Sequence, residues 1–254
     1  MPRSLRIHLL EIKYEFLKAL RMPQYSLPTL LFPVVFYIFF GVMFAGRTGT
    51  PAEMSAYLLA TYGTFGVIGA SLFGFGVLIA TERGQGWVEA KRTTPMPISA
   101  YFVAKMAMAM MFSGIIVLML FATAAIGAHV TLPLAKMVSL FAILVSGSIV
   151  FCAFGLALGF FAGPNSAAPI VNLFYLPMAF LSGLWLPIAF LPESIQSLAL
   201  WLPPYHLSQL ALRVVGASRG EPVSLHVGAL VIATLLFATI AYIGYRRDEG
   251  KMYG

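Results

Sequence analysis

The chain has 254 residues, of which 60% are hydrophobic and 10% charged, and its net charge is +7. An average soluble domain carries about 25% charged residues, so a soluble helical core is excluded: too little polar surface remains to coat it. No Asp, Glu, Lys or Arg occurs in 22–46, 54–81, 106–135, 137–192 or 222–245, and a charge at the bilayer centre costs about 2.5–3.5 kcal/mol, so these stretches predict membrane spans.

A crossing needs about 20 residues, so 137–192 is too long for one, and the turn cluster Gly163-Pro164-Asn165-Ser166 divides it. The expectation is an all-α integral membrane protein. It has six transmembrane helices, at about 27–46, 55–80, 100–127, 137–162, 169–189 and 225–245. Lys and Arg are unevenly placed. Arg3, Arg6, Lys13, Lys18 and Arg21 precede the first span, Arg83, Lys91, Arg92 and Lys105 follow the second, and Arg246, Arg247 and Lys251 lie in the tail. The other side has Arg47, Lys136, Arg213 and Arg219. By the positive-inside rule both termini are expected in the cytoplasm, and six crossings agree with two inside ends. This distribution reads as membrane topology and not as a nucleic-acid surface. The chain opens on a charged amphipathic segment, so no cleavable signal peptide is expected.

In chain order, residues 4–21 are expected to form an interfacial helix. Leu5, Leu9, Ile12, Phe16 and Leu20 recur at helical spacing, with Glu11, Glu15 and Lys18 opposite and Ile7, Leu10, Tyr14 and Leu17 as a second apolar stripe. Two apolar faces suit a helix that rests among headgroups and packs against protein. Pro33 should kink the first span. Gly63, Gly66, Gly69, Gly74 and Gly76 of the second span predict close helix packing. Between Glu82 and Pro97, Val88 to Arg92 could form a short helix on the cytoplasmic side. Lys105 is expected to snorkel from the start of the third span, and Cys152 to be a packing residue. In the fifth span Asn172, Tyr175, Ser182 and Trp185 are the polar or amphipathic positions. They would serve either helix packing and interfacial anchoring or a pathway. From Phe190 to Gly220 two short apolar helices flank Pro203-Pro204, too short to span and expected to dip into the outer leaflet and return.

Catalytic signatures are missing. Gly69 and Gly74 have the P-loop interval, but Phe75 stands where lysine is required. His8, His129, His206 and His226 are scattered, without H-E-x-x-H or a cysteine partner, so no metal site is expected. Serine-based intramembrane proteolysis would need a histidine deep in a span, and the only aspartate is Asp248. A lipid-modifying enzyme would need acidic or histidine clusters at one membrane face. No mid-span carboxylate suggests proton-driven transport. Transport would therefore draw on an outside energy source. A scaffold role is the remaining alternative.

With these residues in view, the chain resembles the membrane (permease) subunit of an ABC-2 type ABC transporter, of the drug or antibiotic exporter branch, over a single domain covering 1–254. Asn172, Pro177-Met178, Phe180-Leu181-Ser182-Gly183, Pro187, Leu191-Pro192, Pro203, His206 and Arg213 carry the resemblance most specifically. Glu82, Gly86 and Thr94-Pro95 add a weaker match. The resemblance implies two such subunits, a homodimer or a related pair, with two copies of a separate ATPase subunit that binds ATP and Mg. No cofactor, metal or nucleic acid is expected on this chain, and it is not itself an enzyme. The implied coupling segment is Glu82, Arg83, Gly86, Trp87, Val88, Arg92, Thr94 and Pro95, with Trp87 and Val88 as apolar anchors. The implied path or gate is Asn172, Tyr175, Ser182, Gly183, Trp185 and Pro187. Without fixed charge, that path favours an apolar or amphipathic cargo such as a drug, antibiotic or lipid-like compound. A polysaccharide or lipid-linked glycan is the alternative, and the expected location is the bacterial cytoplasmic (inner) membrane.

Overall fold

The computed structural model describes residues 3–44, 51–94 and 96–250, which are mostly helical with no strand among them. In chain order the helices are α1 (Arg3–Leu20), α2 (Pro23–Tyr37), α3 (Pro51–Ser71), α4 (Leu78–Gly84), α5 (Trp87–Arg92) and α6 (Ile98–Gly127). They continue with α7 (Leu134–Phe161), α8 (Ala167–Leu181), α9 (Glu193–Ala199), α10 (Pro203–Val215) and α11 (Val223–Gly250). Two π-helical segments, Ile38–Phe44 and Leu72–Val77, extend α2 and join α3 to α4.

Five of these rods are long and apolar enough to cross a membrane: Pro23–Met43, Ala52–Gly84, Ile98–Gly127, Leu134–Phe161 and Val223–Arg247. The chain is thus a multi-pass membrane protein. The rod Ala52–Gly84 is central: its face toward α2, α6, α7 and α10 is buried almost throughout. At its π segment the glycines carry the packing. A Cβ on Gly76 would lie 2.9 Å from the Gly155 carbonyl oxygen, and one on Gly159 would lie 2.8 Å from that of Gly76. Backbones meet directly there, as small residues allow between helices in lipid.

The expected fifth span ends early. The sequence predicts it over 169–189, but α8 stops at Leu181. Gly183 sits at φ 72°, its N–H bonds Phe180 O at 3.0 Å, and the Leu184 N–H reaches back to Ala179 O at 3.0 Å. This six-to-one closure through a left-handed glycine is a helix stop, and 15 residues are fewer than the about 20 that a full crossing needs. The turn cluster at 163–166 does divide the long apolar stretch: the Ala167 N–H bonds Gly163 O at 3.0 Å between α7 and α8. The expected end of the first span at 46 lies outside the described residues.

The first helix meets the bundle partly through its polar stripe, which the sequence sets opposite the leucines. Glu15 and Ala19 are buried against the bundle, whereas Leu5, Leu9, Leu10 and Tyr14 are exposed. Phe16 still packs inward, its ring 5.6 Å from Phe112. The acidic stripe faces protein because partners for it are waiting there.

Candidate functional site

Where α4 leaves the bundle, α1, α4, α5 and α6 converge on a layer of paired charges. Lys105 of α6 is 0% exposed. Its Nζ pairs with Glu15 of α1 and lies 2.7 Å from Glu82 Oε1 of α4. Lys18 pairs with the same Glu82 oxygen and sits 3.8 Å from Glu15. The other Glu82 oxygen accepts a 2.6 Å bond from the Tyr101 hydroxyl. Beside this cluster Lys91 of α5 pairs with Glu11 of α1 and lies over the Tyr101 ring, 4.8 Å from its centroid. Three carboxylates thus meet three ammonium groups. A buried charge is tolerated only when paired and hydrogen-bonded. Burial pulls the Lys18 pKa down, but Glu15 and Glu82 outweigh it and hold the value above that of a free lysine. Lys105 does not snorkel: its ammonium is enclosed because Glu15 and Glu82 meet it inside.

The short helix foreseen in the 82–97 loop exists as α5, and its start depends on Gly86 at φ 75°. Around it the sequence-predicted residues separate into two groups. Glu82 is buried in the charge layer. Arg83 donates to Gly159 O at 2.6 Å and covers the Phe160 ring. Val88 is buried with Phe75, Ile79 and Tyr101, so it fastens α5 to its own chain and cannot serve as the second anchor for a partner. Trp87 is 58% exposed. Gly86 and Thr94 are also exposed, and the Thr94 hydroxyl closes the helix end on Lys91 O at 2.7 Å. The Arg92 side chain and Pro95 lie outside the described residues.

Beyond the charge layer a cavity of about 500 Å³ opens between α2, the α3–α4 rod and α8. Its polar lining comes from Gln24, Tyr25, Thr29, Thr81, Asn172 and Tyr175, the rest being apolar or glycine, and no charged side chain faces it. Of the predicted path residues, Asn172 and Tyr175 reach it. Asn172 makes no hydrogen bond among the described residues, so its amide is not spent on a helix contact. Tyr175 stacks on Phe65, centroids 4.8 Å apart, and donates to Phe65 O at 3.0 Å. Trp185 lies instead in an aromatic cluster with Phe36, Phe65 and Phe180, at 6.2, 5.8 and 6.3 Å. Among the described residues the buried Ser182 Oγ and Trp185 Nε1 have no hydrogen-bond partner. Gly183 forms the α8 stop, and Pro187 caps the short turn Ile188–Phe190.

The ABC-2 type transporter family profile matches residues 9–215, from inside α1 to the end of α10. The chain belongs to the ABC-2 type transporter family. It is also similar to a Bacillus subtilis (strain 168) protein named "Putative transport permease YvfS", 29% identical over 236 residues, 92% of this chain and 95% of that protein.

In this ABC-2 chain the residues that build the charge layer escaped the sequence reading as a group. From sequence Glu11, Glu15 and Lys18 read only as the side of α1 opposite its leucines, Lys91 as one of the cytoplasmic positive charges and Lys105 as a snorkelling residue, while Tyr101 carries no reading. One signal was present: a lysine two turns inside an apolar helix needs a carboxylate partner, and acids were available in α1 and at the end of the second span.

Proposed function

We propose that this ABC-2 chain is the permease subunit of an ATP-driven exporter, non-catalytic itself, working as two protomers with two copies of a separate ATPase subunit that binds ATP and Mg. Its cargo is apolar or amphipathic. It resides in the bacterial cytoplasmic membrane with both termini inside. The observation that supports this reading best is the charge layer lying between the exposed Trp87 and the neutral cavity.

The layer makes α1, α4, α5 and α6 one body. Separating Lys105 from both Glu15 and Glu82 would leave a buried charge alone, at a cost of about 3–5 kcal/mol. A push on α5 is therefore transferred to the α3–α4 rod, whose Thr81, Val77 and Phe73 line the cavity. Trp87 is the side chain that an ATPase groove would grip, a single buried aromatic being enough to hold a small interface. Closure of the ATPase dimer then biases the permease between two arrangements. A sixth crossing is completed by α8, about 22 Å long at 1.5 Å per residue, and by the non-helical return after it, which is tolerated at membrane depth where protein buries it. Helices α9 and α10 dip into the outer leaflet. Ser182, Gly183, Trp185 and Pro187 form the gate above Asn172 and Tyr175.

Reconstitution with the cognate ATPase in lipid vesicles tests the reading. We expect ATP-dependent movement of a neutral amphipathic dye, and loss of substrate-stimulated ATPase activity in Trp87→Ala while the variant still inserts. Transport without any nucleotide-consuming partner would overturn it.

A further inference from the structure

The charged residues of α1 are Arg3, Arg6, Glu11, Lys13, Glu15 and Lys18, and the fold sorts them by sign. Both acids are used inside: Glu11 pairs with Lys91 of α5 and Glu15 with Lys105 of α6. Lys18 reaches back to Glu82. What faces outward is basic. Arg6 and Lys13, and Arg21 just after the helix, are exposed. Among the described residues none of these three meets a carboxylate. Leu5, Leu9, Leu10 and Tyr14 are exposed beside them. At 3.6 residues per turn, Arg6 and Lys13 fall within about 20° of each other and about 10 Å apart along the axis, on a line between Leu9 and Leu10.

The neighbours of α1 fix its depth. In the rod Ala52–Gly84 the charge-free stretch 54–81 ends against Glu82, and in α6 the stretch 106–135 begins after Lys105. Glu82 and Lys105 therefore mark the level at which these spans leave the hydrocarbon. Glu15 and Lys18 of α1 lie in that same layer. Beyond it α1 is tied to the span Pro23–Met43 by Arg21 and Met22 alone, and the Met22 N–H bonds back to Ala19 O at 3.2 Å. So short a connection keeps the helix at headgroup level, with its outer face toward lipid.

We propose that this outer face is a binding surface for anionic phospholipid headgroups. Arg6, Lys13 and Arg21 contact the phosphates, and the leucines and Tyr14 rest on the upper acyl chains. The sign of the preferred lipid follows from the sorting of charge. Glu11 and Glu15 could have balanced the cations of their own helix, but the charge layer has taken both. A zwitterionic headgroup brings an ammonium along with its phosphate and leaves three like charges uncompensated. An anionic headgroup supplies what is missing, and each Lys or Arg near an anionic membrane surface strengthens association about fivefold. The two guanidinium groups fit phosphate oxygens as planar forks. The lysine brings a point charge on a stem long enough to cross the leucine edge. This surface is independent of the exporter function proposed above, since it requires only that the spans lie in a bilayer. In the orientation proposed there, the lipids concerned are those of the cytoplasmic leaflet.

A fluorophore attached at Leu9→Cys reads which lipids stand beside α1, because Cys152 is buried and does not compete for the label. The full chain carrying it is placed in nanodiscs of phosphatidylcholine and phosphatidylglycerol, with brominated acyl chains on one lipid or the other. The ratio of quenching by the two gives their relative occupancy at the helix. Both faces of a nanodisc have the same composition, so neither orientation nor an ATPase enters the readout. We expect phosphatidylglycerol to be preferred at least about fivefold at low salt. The preference should fall toward one in about 1 M salt, where charges are screened beyond about 3 Å. Arg6→Gln, Lys13→Gln and Arg21→Gln combined should bring it to one at low salt as well. Equal quenching by the two lipids, a preference indifferent to salt, or one retained in the triple variant would overturn the site. Should the triple variant not fold, the salt dependence of the parent chain decides. Quenching by neither lipid, with the label open to aqueous iodide, would place the face in water, free for a soluble protein partner, and would equally overturn it.

Discussion

Lys105 is a cation without solvent contact. Its ammonium is enclosed by Glu15 and Glu82. Replacing it with alanine leaves two carboxylates facing each other with only half-exposed Lys18 nearby, so we expect a loss of about 3–5 kcal/mol in stability. Methionine at 105 combined with Glu15→Gln and Glu82→Gln should recover much of that loss, because an uncharged set of similar volume needs no compensation. Denaturant unfolding in detergent of the single and triple variants checks both statements, and equal damage in the two would refute the pairing argument. Sequence reading could not supply these partners, since Glu15 and Glu82 lie 90 and 23 positions from Lys105. Trp87 stands out in the sequence because an aromatic in a charged loop is conspicuous by composition alone. For Val88 the sequence misleads, since nothing local distinguishes an apolar residue facing a partner from one facing its own bundle.

At the scale of elements, charge-free length located the apolar rods, and the turn cluster at 163–166 divided α7 from α8 correctly. The early end of α8 was written in Phe180-Leu181-Ser182-Gly183, but hydropathy continues past it and concealed the stop. The π segments were not legible, because a one-residue widening of the helix leaves composition and approximate periodicity intact. Two glycines with nearly equal φ allow a sharp comparison. Gly86 has open space around its Cα, so Gly86→Ala should cost only the left-handed backbone penalty, about 1–2 kcal/mol. At Gly183 a Cβ would also lie 2.8 Å from Ile188 Cβ. Gly183→Ala should therefore exceed the Gly86→Ala loss and shift the α8 end, read as a lower thermal midpoint and faster amide exchange at 184–190. Equal midpoints would mean that the turn after α8 is softer than its packing indicates.

Across the whole molecule, one rod serves both ends of the proposed mechanism. Ala52–Gly84 ends in the charge layer through Glu82, and its middle lines the cavity at Gly66, Gly69 and Phe73. In the proposed coupling, motion imposed near Trp87 would reach the cavity wall along this rod. In the proposed exporter the cavity's neutrality is the property that would select cargo. A carboxylate placed there would stand in an apolar wall with no cation among the lining residues, and an unpaired charge in such a setting is strongly disfavoured. Asn172 is the position at which to introduce it, because its amide engages no neighbour and its replacement should leave the helix packing intact. We expect Asn172→Asp to reduce transport of a neutral amphipathic cargo at least tenfold at neutral pH. Basal ATPase activity of the reconstituted complex should remain, since the charge layer and α5 are untouched. Part of the transport should return at acidic pH as the carboxyl takes up a proton. Undiminished transport across that pH range would place the cargo's route somewhere other than between α2, the central rod and α8.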